Sequence, residues 1–105
     1  LKLSPLEYWK RNCFSAIESG ESEVGSVVEL LGGADNICVS TDFPHFDSSF
    51  PEVSNRVLQN PSITPEIGSK ILYGGARLYG FGEEDFQKAD AAAKRHDNVR
   101  MARAK

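Results

Sequence analysis

The sequence predicts an α/β chain built around one strand–helix–strand unit with parallel strands. Three observations carry this. Cys13-Phe14-Ser15-Ala16-Ile17 is a short apolar run of strand character. Ser26–Leu31 has helical spacing and is closed by Gly32-Gly33. Asn36-Ile37-Cys38-Val39-Ser40 has an unbroken apolar centre. A strand that is apolar at successive positions, rather than at alternate ones, is buried on both faces, as parallel strands are. A helical crossover between two parallel strands is right-handed in almost all cases.

The remaining elements follow from local signals. Ser4-Pro5-Leu6-Glu7 combines a capping serine, a proline suited to the first helical turn and an acid three residues after the cap. It predicts a helix to Lys10 or Arg11. Glu18–Glu23 is polar, contains Gly20 and reads as a loop. Thr41–Pro51 is a long polar and aromatic loop with two prolines, Val53–Gln59 reads as helical, and Asn60-Pro61 breaks it. Thr64-Pro65-Glu66 opens a further helix in which Ile67, Ile71, Leu72, Leu78 and Tyr79 share one face. Gly74-Gly75 falls inside that helix, where each glycine costs about 1 kcal/mol against alanine, so close packing is expected there. Gly80 and Gly82 end it, and Glu83-Glu84-Asp85 opens a last helix whose basic residues, Lys94 and Arg95, come late, in accord with the helix dipole.

Composition excludes several classes. The chain has 105 residues, one small domain by length and well short of the roughly 250 residues of a complete (β/α)8 barrel. No run approaches the ~18 apolar residues of a membrane span, so no membrane partner is expected. Two cysteines, Cys13 and Cys38, are too few for a disulfide scaffold and lack zinc-motif spacing. Both sit in apolar runs and are expected as buried free thiols, which points to a reducing, cytoplasmic setting. The opening Leu1-Lys2-Leu3-Ser4 has no methionine and no signal-peptide pattern, the expectation for a piece of a longer chain. Charge is uneven. Residues 1–52 hold three Lys/Arg against nine Asp/Glu, net −6, and residues 53–105 hold nine against six, net +3. The basic tail from Lys94 to Lys105 reads as a solvated helix end rather than a nucleic-acid surface, because it lacks interleaved aromatics.

Chemistry is expected where the second strand ends. Ligands of parallel α/β sheets bind at the carboxyl ends of strands, and Asp42 falls there. An acid at that place can ligate a cation or take a proton from a bound water. His45, past a stiffening proline, is a candidate ligand, base or substrate contact, and Asp47 can orient it. The alternative is local: Asp at a loop start caps backbone N–H groups, and His-x-Asp in a loop is often hydrogen bonding alone.

The run Ser40-Thr41-Asp42-Phe43-Pro44-His45-Phe46-Asp47, then Phe50-Pro51, then Thr64-Pro65-Glu66 with Lys70-Ile71-Leu72-Tyr73-Gly74-Gly75-Ala76-Arg77-Leu78-Tyr79-Gly80, resembles the C-terminal end of a known family. That family is the amidohydrolase-2 type of metal-dependent TIM-barrel hydrolases and decarboxylases, which includes the aminocarboxymuconate-semialdehyde decarboxylase-like enzymes. Its last strand typically reads S-D-[FY]-P-H and its last helix K-I-L-x-x-N-A-x-x-L-Y. Ser4–Tyr8 and Arg11–Phe14 are similar to its entry into the seventh strand. The resemblance covers about residues 4–81.

The resemblance implies the last two βα units of a (β/α)8 barrel, strands seven and eight with their helices, over residues 1–82, with a C-terminal helix and basic tail over 83–105. It implies Asp42 as metal ligand or proton shuttle, His45 as catalytic or substrate-binding, Asp47 as substrate-binding, and Glu21 or Glu23 on the loop after strand seven. The implied cofactor is a divalent metal, zinc first. The family draws its other ligands from a His-x-His and a further histidine. This chain has only His45 and His96, so it is not expected to bind the metal alone. Gly75 stands where the family has Asn. The implied function is part of a metal-dependent hydrolase or nonoxidative decarboxylase acting on a small organic substrate. Its partners would be the remainder of the barrel or a second copy. The alternative is a free-standing, non-catalytic fragment that oligomerises and binds a ligand or a protein.

Overall fold

A computed structural model describes residues 2–103; Leu1, Ala104 and Lys105 lie outside it, as do the side chains of residues 97–100, 102 and 103. The end of the basic tail therefore falls outside the described residues. The order of elements is α1 (Pro5–Asn12), β1 (Ser15–Glu18), α2 (Val24–Leu31), β2 (Ile37–Ser40), α3 (Val53–Leu58), α4 (Pro65–Leu72), α5 (Gly74–Leu78) and α6 (Glu83–Arg103). The chain divides into two compact units, one up to Gly75 and one from Ala76.

In the first unit β1 and β2 pair in parallel, with Ser15 opposite Ile37 and Glu18 opposite Ser40. The crossover between them is α2, as the sequence predicts. Gly32 closes it in the left-handed region at φ 68°. Ile37 and Cys38, adjacent and therefore on opposite faces of the strand, are both buried. The core gathers Ile17, Val24, Val28, Ala34, Ile37, Val57 and Ile71. Ile37 and Ile71 are fully enclosed, and burying a side chain of that kind is worth about 1.5–3 kcal/mol. Asn36 ties the layers together. Its amide donates to the carbonyls of Lys10 (2.8 Å) and Cys13 (2.7 Å), fixing the end of α1 to the start of β2.

Three expectations are corrected. The helix opened by Thr64 does not run unbroken to Tyr79; it ends at Leu72 and a separate turn of helix starts at Gly74. Adjacent glycines make the break cheap, and Gly74 lies against the backbone of β2. Leu78 and Tyr79, expected on the apolar face, are exposed. Cys38 is buried as expected, but Cys13 is exposed, because it caps α1 in extended conformation before the strand begins at Ser15.

The start of α1 matches its sequence signal. The Glu7 N–H donates to Ser4 Oγ (3.3 Å), and Glu7 Oε2 accepts from the Ser4 N–H (2.7 Å). The Ser4 hydroxyl first, and the Ser4 N–H second, hold the Glu7 carboxyl below its ordinary range. A carboxyl lowered in the folded state supports the helix above its ordinary titration range and loses that support as pH falls through the lowered value. Ser4→Ala is expected to move the Glu7 titration back up, read by NMR of its side-chain carboxyl carbon. A titration unchanged by the substitution contradicts the cap.

In the second unit the Gly82 N–H donates to Asp85 Oδ2 (2.9 Å), which anchors the start of α6. From Glu83 to His96 every residue of α6 is exposed except the half-buried Phe86. No helix among the described residues is long and apolar enough to cross a membrane.

Candidate functional site

Glu18 and Ser40 are paired at the carboxyl ends of the two strands. The chain leaving these ends forms a small hollow bordered by Glu18, Asp42 and Asp47 with the hydroxyl residues Ser19, Ser48 and Ser49. Its interior is about 20 Å³, room for a water-sized group. Of the residues expected to act at this end, Asp42 and Asp47 border the hollow, and His45, Glu21 and Glu23 do not.

Asp42 turns the chain out of β2 with φ 52°. Aspartate is among the few side chains that take this left-handed conformation readily. Its Oδ1 accepts a hydrogen bond from the Ser40 hydroxyl, and its carbonyl accepts the His45 N–H (2.6 Å). Further on, Ser48 Oγ donates to the Thr41 carbonyl (2.6 Å) and accepts from the Phe50 N–H (3.1 Å). The Phe43 and Phe50 rings pack with centroids 4.7 Å apart. Residues 41–50 thus form a compact loop closed by its own side chains, the construction of an Ω-loop.

His45 and Asp47 form a pair in this loop. His45 Nδ1 lies 2.7 Å from Asp47 Oδ1, with the two side chains 66% and 63% exposed. A carboxylate accepts, so Nδ1 carries the proton and a neutral ring keeps its lone pair on Nε2. The ring is oriented but open to solvent, and Phe46 flanks it with ring centroids 5.4 Å apart.

No protein-family model, no curated protein and no solved structure matches the chain. The site's own chemistry must carry the reading. Among the described residues no three His, Cys, Asp or Glu side chains come together to hold a metal ion. A catalytic zinc usually takes three protein ligands. Asp42 alone, with one oxygen engaged by Ser40, does not satisfy that, so the described residues by themselves do not fit a catalytic metal. His96 lies exposed on α6.

The loop after β1 serves structure as well. Glu21 Oε1 accepts the Glu18 N–H (2.9 Å), and Glu23 Oε1 accepts from Ser22 Oγ (2.7 Å). The Ser22 hydroxyl holds the Glu23 carboxyl below its ordinary range. Asn60 fixes this loop: its amide donates to the Glu21 carbonyl (2.8 Å) and its Oδ1 accepts from the Ser62 N–H (3.0 Å) and hydroxyl (2.8 Å). Glu18 and Ser19 from the end of β1, and Ser48 and Ser49 from the loop after β2, are the residues that the motif does not point to. The two pairs are distant in sequence and meet only once the strands pair, and a lone serine in a polar loop carries no local signal.

Proposed function

We propose that this chain supplies the last two βα units of a (β/α)8 barrel in an amidohydrolase-type, metal-dependent hydrolase or nonoxidative decarboxylase. It would act on a small organic substrate in the cytoplasm. The observation that supports this best is the placement of Asp42 and Asp47 at the hollow beside the carboxyl ends of the parallel strands, where ligands of α/β sheets bind, with His45 bonded to Asp47.

In this reading Asp42 exchanges a proton with the substrate at the mouth of the site. Ser40 orients its carboxylate. His45 presents Nε2 to the substrate, and Asp47, bonded at Nδ1, keeps the ring in that tautomer. When bound, a divalent metal, zinc first, would polarise the substrate or activate water; Asp42 would serve it as a ligand or as the proton shuttle, and the remaining ligands would come from the remainder of the barrel. The test is turnover of the intact assembly with Asp42→Asn. A large loss with the fold unchanged is expected, and wild-type turnover overturns the reading.

A second reading is favoured by one observation. Each strand has a single neighbour among the described residues, so both outer sheet edges are open. Open edges call for a partner. The remainder of a barrel would cover them, and so would a second copy of the chain. The latter gives a non-catalytic oligomer that binds a ligand or protein.

A further inference from the structure

Beside the hollow, on the far side of the loop after β1, runs a wider groove of about 300 Å³ bordered by Ser19, Glu21, Arg56 and Gln59. Ser19 and Arg56 link the two. Ser19 borders both depressions. Arg56 Nη1 donates to the hydroxyl of Ser49, which borders the hollow.

Arg56 is held yet largely unused. A guanidinium has five N–H donors, and its one hydrogen bond to a side chain among the described residues is that to Ser49. It forms no ion pair among the described residues. It lies beside Gly20, where an added Cβ would stand 3.0 Å from Arg56 Nη2, so a side chain at position 20 would crowd it. Ser19 is 3% exposed and borders the groove. The acid on the groove, Glu21, is turned onto the Glu18 N–H. An exposed guanidinium tethered to Ser49, with further N–H donors, beside Ser19 and the Gln59 amide, suits a planar or tetrahedral oxyanion.

We infer that this groove binds the carboxylate or phosphate group of a small molecule, with Arg56 as its anchor. The inference rests on the proposed function only for the direction in which the rest of the molecule extends, through Ser19 and Ser49 toward Asp42. The groove itself is independent of it.

The experiment is an amide and guanidinium NMR titration of the whole 105-residue chain with malonate and, separately, inorganic phosphate. Saturable shifts centred on Gly20, Arg56 and Gln59 are expected with at least one probe, and which probe saturates identifies the oxyanion. Arg56→Gln is expected to weaken binding about tenfold or more, and its unchanged spectrum elsewhere shows that the fold is kept. Linear, unsaturable shifts with both probes overturn the inference. Equal binding by Arg56→Gln also overturns it. Normal turnover of Asp42→Asn would sink the proposed function and leave this result untouched.

Discussion

Gly74→Ala is expected to destabilise the first unit severely, by about 3 kcal/mol or more, the upper range for overpacking a closed core. A Cβ on Gly74 would stand 2.0 Å from the Ile37 carbonyl oxygen and 2.9 Å from Cys38 Cα. Both are backbone atoms of β2, and β2 is held in register by β1. Neither can step aside without disturbing the sheet. The neighbouring glycine is the control. A Cβ on Gly75 meets nothing within 4 Å, and Gly75 lies in helix α5. Gly75→Ala should therefore stabilise, by up to about 1 kcal/mol of helix propensity. Urea denaturation of the two variants reads the contrast. Equal effects of the same sign would contradict the packing of Gly74 on the strand.

Asp42→Asn is expected to reduce turnover of the intact assembly by about 10²–10⁴-fold, the usual contribution of a positioned acid or base. The substitution keeps the size of the side chain and its hydrogen bond from Ser40, and asparagine also tolerates a positive φ. The loop should keep its shape, so the loss would report chemistry and not folding. Asp47→Asn should act more mildly and through His45, by weakening the hold on Nδ1. Loss of structure in Asp42→Asn, seen as disorder of residues 41–50, would assign Asp42 to loop architecture instead.

Much of the fold is legible because its signals are local. Ser4-Pro5 and Thr64-Pro65 announce α1 and α4 through backbone groups within a turn of the cap. The apolar continuity of Ile37–Val39 announces a strand buried on both sides. What is not legible depends on distant partners. The break at Tyr73 is invisible without knowing that Gly74 meets β2. Cys13 sits in an apolar run yet is exposed, because its environment is set by the end of α1 rather than by its neighbours. At the site, Asp42, His45 and Asp47 are legible from their place after a strand. Ser19 and Arg56 are not, since thirty-odd residues separate them and only the pairing of β1 with β2 and the docking of α3 bring them to one groove.

In the proposed function the carboxyl ends of β1 and β2 belong to a larger catalytic assembly. The decisive experiment is a native mass spectrum of the chain purified from its own cells. The chain is expected to travel with a larger polypeptide and a divalent metal. A metal-free species at 11.5 kDa, or at a simple multiple of it, would contradict the account and leave an oligomerising, non-catalytic fragment.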